Sequence, residues 1–157
     1  MEAVREAVLS DEPRFEELVA EFVAGMATQR GGSRLLEPDP GSGGAVVSRP
    51  LPALLGDRHC LVLVGTLDRA VTGVAICHHD GRDGPGRQGR LDACYVEPGA
   101  RGVGLGRLLL DTAVAWLESE DCAGADGVAL PGDRLAKGFF EAAGFKARMI
   151  TMHRPLG

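Results

Sequence analysis

The alternation of apolar and polar positions predicts a chain of mixed helices and strands. Between residues 13 and 27, apolar side chains recur every three or four positions, which predicts an amphipathic helix. Two apolar runs, His59 to Leu67 and Val71 to His78, flank Asp68-Arg69-Ala70 and together predict a β-hairpin. Ahead of the helix, residues 3 to 9 are compatible with a short strand or with a turn.

The second half of the chain predicts three more strands and a long helix. A third strand covers Leu91 to Val96. Residues 105 to 117 follow a 3.6-residue apolar period, which predicts a helix of about three to four turns. Val128 to Leu130 predicts a short buried strand, and Phe145 to His153 predicts a final strand.

Capping and turn residues mark where the remaining elements end. Asp133 suits the N-cap of a last helix over Arg134 to Ala143, and Gly144 suits the position just past its end. Residues 31 to 44 and 80 to 90 are rich in turn-forming residues and predict loops. The order of elements predicts an α/β (α+β) fold, in which helices flank a mixed central β-sheet.

Composition and charge narrow the class of protein. The 157 residues are 45% apolar and 25% charged, which is typical of a globular protein, and the length suits a single domain over residues 1–157. A net charge of −5 without a basic cluster argues against nucleic acid as a partner. The start, Met1-Glu2-Ala3, does not resemble a secretory signal. The longest strongly apolar stretch, Cys60 to Val64, is too short to span a membrane.

The cysteines favour a reducing compartment. No two of them form a C-x-x-C pair, and all lie in apolar segments that look like strands, so we interpret them as small hydrophobic residues. They are Cys60, Cys77, Cys94 and Cys122. We therefore expect a reduced, cytoplasmic protein.

The most informative segment is a glycine-rich turn between a predicted strand and a predicted helix. Gly102, Gly104 and Gly106 alternate along it, and Arg101 and Arg107 flank it. Free N–H groups at the start of a helix, with no Cβ in the way, form a cradle for a phosphate group. The blander alternative is a turn that only reverses the chain.

Two common phosphate-binding motifs do not fit this turn. A dinucleotide-binding fingerprint needs glycine three positions after Gly104, where the sequence has Arg107. A P-loop needs a lysine after its last glycine, and none follows here.

The turn and the C-terminal region resemble a known enzyme family. Arg101-x-x-Gly104-x-Gly106, preceded by Val96-x-Pro98, is similar to the acetyl-CoA pyrophosphate loop of the GNAT N-acetyltransferase superfamily. The stretch from Ala136 to Phe145 resembles the closing helix and following strand of that family. Together these matches cover roughly Leu91 to His153.

The resemblance implies a GNAT-like acyl-CoA N-acyltransferase fold and direct acetyl transfer from acetyl-CoA to an amine, without a metal. In the family, the loop amides hold the pyrophosphate, the preceding strand pairs with the pantetheine arm, and the next strand, here Val128 to Leu130, splays away. The residues thereby expected at acetyl-CoA are Cys94, Tyr95, Val96, Arg101, Gly102, Val103, Gly104, Leu105, Gly106, Arg107, Asp133 and Phe140.

Catalysis requires that the acceptor amine lose a proton, because an alkyl ammonium with a pKa near ~10 is not nucleophilic at neutral pH. Asp92 is the best candidate for the general base, on the interpretation that it shares a strand face with Cys94 and Val96. The alternative is a solvated carboxylate at the start of the strand.

His78 and His79 lie at the end of a predicted strand. They are candidates for relaying a proton or lining the acceptor pocket, and the alternative is that they are partly exposed bystanders. Because adjacent strand residues face opposite sides, the two histidines do not predict a shared metal site.

The residue expected to protonate the departing thiolate is missing. Many family members have a tyrosine at the position of Phe140, and often an asparagine at the position of Asp133. Tyr95, the one tyrosine, is interpreted as a packing residue on the opposite face of its strand.

Three functions remain open from the sequence. The first is an N-acetyltransferase acting on a small-molecule or peptide amine, with the acidic balance weakly favouring a cationic acceptor. The second is a catalytically weakened GNAT-like module that binds or senses acyl-CoA, and the third is a glycine-rich structural domain. The apolar final strand is compatible with a homodimer.

Overall fold

A five-stranded sheet organises the computed structural model, which describes residues 1–37 and 44–157. The strands are β1 (Glu2–Glu6), β2 (Cys60–Leu67), β3 (Ala70–His79), β4 (Gln88–Val96) and β5 (Gly124–Asp126). The helices are α1 (Glu12–Ala27), α2 (Gly32–Leu35), α3 (Gly44–Val47), α4 (Leu51–Leu55), α5 (Leu105–Ser119) and α6 (Arg134–Ala142). The strands follow one another in sequence order across the sheet, and only β4 and β5 run parallel. The predicted mixed sheet with flanking helices is confirmed.

The predicted hairpin is formed by β2 and β3. The two residues of its turn, Asp68 and Arg69, have φ values of 49° and 74°. A two-residue turn with positive φ at both positions twists the chain in the sense that antiparallel strands prefer. Residues 38–43 of the predicted loop 31 to 44 lie outside the described residues, whereas residues 32–35 form a helical turn.

Two hydrophobic clusters hold the helices on the sheet. We call the side covered by α1 and α4 the α1 face, and the side covered by α5 the α5 face. The α1-face cluster includes Phe15, Leu18, Leu51, Leu54, Val64, Ile76 and Ala93. The α5-face cluster includes Leu63, Cys77, Leu91, Val96, Leu105, Leu109 and Leu117. Each fully buried leucine contributes about 1.5–3 kcal/mol of transfer free energy, so these two clusters fix the position of β4 between α1 and α5.

β5 lies beside only the first residues of β4. Its residues pair with Gln88 to Arg90, and the pairing stops there. The prediction of a strand at Val128 to Leu130 is therefore wrong, because these residues follow β5 and make no sheet pairing. Within the described residues, the edge of β4 from Leu91 to Val96 is left without a neighbouring strand.

The predicted final strand, Phe145 to His153, is also wrong. Residues 145–157 have no regular secondary structure, and 146–157 are exposed. A strand is stable only when its backbone pairs with another strand, and β5 offers an edge of three residues. This segment is instead attached by Arg148, which donates two hydrogen bonds of 2.6 and 2.9 Å to Asp126.

All four cysteines are free thiols, but Cys122 lies in the loop after α5 and not in a strand-like segment as expected. Within the described part of the chain, no helix is long and apolar enough to cross a bilayer.

Candidate active site

A cleft of about 600 Å³ opens where β4 and β5 part. Its walls come from β4, the turn between β4 and α5, residues after β5, α6, and one side of α1. Every residue expected at acetyl-CoA except Val103 lines this cleft, and so does Asp92. Val103 lies in the same turn and is partly exposed.

The turn between β4 and α5 has the backbone geometry of an anion cradle. Gly102 and Gly104 have φ values of 90° and 87°, in the left-handed region that favours glycine. Gly104 is the N-cap of α5, and no side chain caps the helix, so the first N–H groups of α5 have no acceptor within it. A Cβ at Gly102 or Gly104 would meet no atom within 4 Å, so the space above the turn is open. This backbone fits a phosphate group.

The two arginines beside the turn, Arg101 and Arg107, differ in how far a neighbouring carboxylate neutralises their positive charge. Arg101 donates from Nε to the Val96 carbonyl at 2.7 Å, which fixes its stem beside the turn. Arg107 donates from Nε to both carboxylate oxygens of Asp111, at 2.9 and 3.0 Å, and from Nη1 to the Ala142 carbonyl at 3.0 Å. Asp111 therefore neutralises much of the Arg107 charge, so Arg101 is the stronger cation for a bound anion.

The end of β4 places consecutive side chains on opposite faces. Cys94 and Val96 pack on the α5 face, and burial raises the pKa of the Cys94 thiol to about 12, which makes it a poor nucleophile. Tyr95 packs on the α1 face against Phe22, with ring centroids 6.4 Å apart, and donates its hydroxyl to Glu21 at 2.9 Å. The predicted packing role of Tyr95 is confirmed.

α6 contributes Asp133 and Phe140 to the cleft. Asp133 Oδ1 accepts a hydrogen bond from the Ala136 N–H at 3.0 Å, which confirms the predicted N-cap. The Phe140 ring lies 5.1 Å from that of Phe145, and a Cβ at Gly127 would stand 2.3 Å from a Phe140 ring carbon. Phe140 is therefore closely packed in the cleft wall, where it offers no proton to a leaving group.

Asp92 is the extra residue of a β-bulge. Its neighbours along β4, Leu91 and Ala93, pair with consecutive residues of β3, Cys77 and Ile76. Two residues of β4 thus oppose one step of β3, which interrupts the alternation of side chains.

The bulge makes the predicted orientation of Asp92 wrong. Its carboxylate does not share the face of Cys94 and Val96; Oδ2 lies 2.6 Å from Nδ1 of His78, and Oδ1 lies 3.8 Å from Nε of Arg90. The Asp92 side chain is 0% exposed, so it is not a solvated carboxylate either. Burial raises the pKa of Asp92, and the hydrogen bond with His78 opposes that rise.

His78 and His79 face opposite sides of β3, as adjacent strand residues do. His79 is buried: its ring stacks 5.6 Å from Trp116 and lies 4.9 Å from His59, so it is not the exposed bystander that was one alternative. Burial lowers the pKa of His79. In the described residues, no group of three or more His, Cys, Asp or Glu side chains could hold a metal ion.

These features have a counterpart in a family of enzymes. A model of the Acetyltransferase (GNAT) family matches residues 33–145, well over half of the chain. The chain belongs to the GNAT acetyltransferase family. No curated protein sequence matches it.

Solved structures share the fold of this GNAT acetyltransferase over nearly all of its length. One is a predicted acetyltransferase from Clostridium acetobutylicum, with acetyl-CoA, which is 15% identical, has a TM-score of 0.69, and matches over 99% of this chain and 96% of that one. A ribosomal-protein-alanine N-acetyltransferase from Brucella melitensis is 19% identical, with a TM-score of 0.67 and 100% coverage of both chains. An aminoglycoside N-acetyltransferase in complex with CoA is 15% identical, with a TM-score of 0.68 over 98% of this chain and 100% of that one. At these identities the likeness shows the fold alone.

One wall of the cleft in this GNAT acetyltransferase comes from the N-terminal helix and the segment after it, a region expected to contribute to the acceptor site but without individual residues singled out in the sequence. We call it the α1-side wall; it consists of Phe22, Gly25, Met26, Gln29 and Leu35. Gly25 and Met26 follow Phe22 on α1 by three and four positions, which is also the spacing of the core residues of that helix, whereas Gln29 and Leu35 lie beyond its end. Nothing in the sequence separates the two sets.

Proposed function

We propose that the protein is an N-acetyltransferase that transfers the acetyl group of acetyl-CoA directly to a primary amine of a small molecule or peptide. The observation that carries the proposal is the unpaired edge of β4, which leads into an open glycine cradle at the start of α5. An extended arm ending in a pyrophosphate needs a strand edge followed by an anion site, in that order.

The proposed acetyl-CoA site uses backbone more than side chains. The free edge of Cys94, Tyr95 and Val96 would pair with the pantetheine arm, and the amides from Gly102 to Arg107 would hold the pyrophosphate. When bound, acetyl-CoA supplies the activated thioester. Asp133 and Phe140 would border the arm on the α6 side, where both line the cleft.

The proposed acceptor site lies along the α1-side wall. Phe22, Met26 and Leu35 are apolar, and Asp92, the predicted general base, also lines the cleft. We therefore expect a primary amine on a compact apolar body to be a better acceptor than a polycation. Two of the structural neighbours are named for acetylating an aminoglycoside and a ribosomal-protein alanine.

Two measurements test this function. Calorimetric titration with acetyl-CoA should give saturable heat, and the absence of heat would exclude the proposed site. Thiol release should then be followed over 2-phenylethylamine, an alanine-initiated peptide and an aminoglycoside, with 2-phenylethylamine expected to be fastest. Saturable binding without thiol release from any amine would contradict the enzyme and indicate a binding module.

We expect Phe140→Tyr to raise the rate of thiol release about tenfold, because a phenol at this place can protonate the departing thiolate and general acids contribute at least that much. The measurement is kcat at saturating acetyl-CoA and amine. Phe139→Tyr is the matched control, since Phe139 also lines the cleft and lies 5.7 Å from Phe140. Equal rates in both variants and the parent protein would show that thiolate protonation does not limit turnover.

We also propose that the protein is a homodimer through its C-terminal segment, residues 145–157. Met149, Ile150, Met152 and Leu156 are between 79% and 89% exposed there, which is unusual for a cluster of large apolar residues in a monomer. A chain truncated after Arg148 should sediment as a monomer at concentrations where the full chain sediments as a dimer. A monomeric full chain would contradict the proposal.

The proposed compartment is the cytoplasm, in keeping with four unpaired thiols.

A further inference from the structure

A glycine interrupts the side chains that α1 presents to the cleft. Gly25 lies within α1 (Glu12–Ala27), three residues after Phe22 and one before Met26. All three residues line the cleft, so they share one face of the helix. Phe22 and Met26 carry large apolar side chains on that face, whereas Gly25 contributes only its backbone.

The fold itself does not require a glycine at this position. Gly25 has no positive φ, unlike Gly102 and Gly104, so its backbone conformation suits any residue. A Cβ at Gly25 would meet no atom within 4 Å in the described residues, so no neighbouring group comes too close for a side chain. Gly32 shows the contrast, because a Cβ there would stand 1.7 Å from the carbonyl oxygen of Met26.

A glycine inside a helix also makes a protein less stable, because glycine loses more conformational freedom on folding than alanine does. Gly25 is not the C-cap of α1, which is Thr28. The Gly25 carbonyl oxygen accepts hydrogen bonds from Oγ1 of Thr28 at 2.9 Å and from Nε2 of Gln29 at 3.4 Å, but any residue provides that oxygen. The remaining reason for a glycine is the close approach of a bound molecule to the backbone.

We propose that Gly25 is a specificity-determining residue, whose bare backbone leaves room for the group that carries the acceptor amine. A larger side chain at this position would fill that room and restrict the enzyme to short amines. The inference rests on the proposed N-acetyltransferase function, and it adds which part of the acceptor lies against α1.

α1 runs antiparallel to β4 across the α1 face. Arg14, near the start of α1, forms an ion pair with Glu97, which directly follows β4. Further along the helix, Glu21 accepts a hydrogen bond of 2.9 Å from the hydroxyl group of Tyr95, inside β4. Each step toward the end of α1 thus leads back toward the start of β4.

This direction brings Gly25 toward the predicted general base. Gly25 lies four residues beyond Glu21, a rise of about 6 Å along the helix, which equals about two residues of a strand. Two residues back from Tyr95 is Ala93, the neighbour of Asp92. The proposed acetyl-CoA arm follows β4 in the same direction, because the glycine cradle lies beyond the end of that strand. The thioester, the predicted base and the bare stretch of α1 therefore belong to the same end of the cleft.

The side chains around Gly25 favour an apolar group on the acceptor. Phe22, Met26 and Leu35 belong to the α1-side wall, and Gln29 is the one polar side chain among its five residues. An apolar group that rests on the backbone of Gly25 is removed from water by these neighbours, which stabilises it there. A charged group would lose its hydration at the same place, which costs free energy. We therefore expect the amine to be carried on an aromatic or branched aliphatic group.

Two amines of different size test the role of Gly25. The parent protein should have a higher kcat/KM for 2-phenylethylamine than for ethylamine. Gly25→Leu should lower the ratio of these two values about 30-fold, since small changes in the volume of an apolar pocket alter selectivity by roughly 10- to 200-fold. Gly25→Ala should lower the ratio by a smaller factor. An unchanged ratio in Gly25→Leu, including an equal loss with both amines, would overturn the proposal.

Gly138 provides the matched controls. It lies inside α6 (Arg134–Ala142), a Cβ there would also meet no atom within 4 Å in the described residues, and it does not line the cleft. Gly25→Ala and Gly138→Ala should each raise the thermal midpoint by about 1–4 °C, because alanine restricts the unfolded chain. Only the Gly25 variants should change the ratio. A lower midpoint in Gly25→Ala would show that the fold needs this glycine and would overturn the inference.

Amine binding tests the inference without turnover. In the presence of saturating CoA, calorimetric titration of the parent protein with 2-phenylethylamine should give saturable heat, and Gly25→Leu should bind this amine at least about tenfold more weakly. Absence of amine binding to the parent protein, or equal affinity in the two proteins, would overturn the inference. Amine binding that is weakened by Gly25→Leu, without thiol release from any amine, would support the inference and refute the proposed acetyl transfer.

Discussion

Gly104→Val is expected to weaken acetyl-CoA binding about 100-fold or more while the protein remains folded. Gly104 has a φ of 87°, and the space above it is open, so a side chain there would occupy the volume proposed for the pyrophosphate. A β-branched residue also resists this backbone conformation. Loss of two charge-assisted hydrogen bonds, each about 1.5 kcal/mol or more, accounts for a change of this size.

The matched control for this variant is Gly84→Val. Gly84 has a φ of 77°, and a Cβ there would also meet no atom within 4 Å, but it lies in the loop between β3 and β4 and does not line the cleft. Both variants should lose about 1–3 kcal/mol of unfolding free energy from backbone strain. Isothermal titration should then show weak binding only for Gly104→Val. Wild-type affinity in that variant would place the pyrophosphate elsewhere.

The hairpin, the long helices and the glycine turn were predictable because their signals are local. The β2–β3 turn is fixed by two adjacent residues, and the bounds of α1 and α5 follow from apolar periods within each helix. The open turn at Gly102 and Gly104 likewise needs only its own backbone. These elements did not depend on a distant partner.

The two wrongly predicted strands both involve pairing between distant segments. β5 consists of Gly124, Ala125 and Asp126, which are poor strand formers, and it is a strand because β4 lies beside it. The segment from Phe145 to His153 has many apolar residues but no strand edge long enough to pair with. Local pattern alone favoured the wrong segment in both cases.

The bulge in β4 had the largest consequence for the site. Strict alternation put Asp92 on the face of Cys94, whereas the extra residue in the pairing with β3 turns it toward His78. The sequence contains both members of the pair, but they are 14 residues apart on different strands. Only the register of β3 against β4 brings them together.

Asp92→Asn is expected to lower kcat for an alkyl amine about 10²–10⁴-fold and, at the same time, to stabilise the protein at neutral pH. Asp92 lines the cleft, and the amide of asparagine cannot take up the proton that the predicted general base must remove. The loss of rate should shrink as the pH approaches about 10, where alkyl amines lose their proton in solution. The affinity for acetyl-CoA should be unchanged.

The gain in stability follows from the direction of the pKa shift. Burial raises the pKa of Asp92 in the folded state, so its contribution to stability is full below the unfolded pKa of about 3.9 and is lost as the pH rises through the folded value. At neutral pH the folded protein therefore bears the cost of a buried charge, which asparagine removes. The measurement is the thermal midpoint of both proteins between pH 4 and pH 8, and the difference should grow in favour of the variant as the pH rises.

Asp11→Asn is the matched control, because Asp11 is a second buried carboxylate with a shift of opposite sign. Arg5 donates two hydrogen bonds of 2.8 and 2.9 Å to it and lowers its pKa, so its contribution to stability is present above the unfolded pKa and lost as the pH falls through the folded value. Asp11→Asn should therefore be less stable than the parent at neutral pH, with a normal kcat. A lower thermal midpoint in both variants at pH 7 would show that the Asp92 carboxylate stabilises the fold, and that its burial is not a cost borne for catalysis.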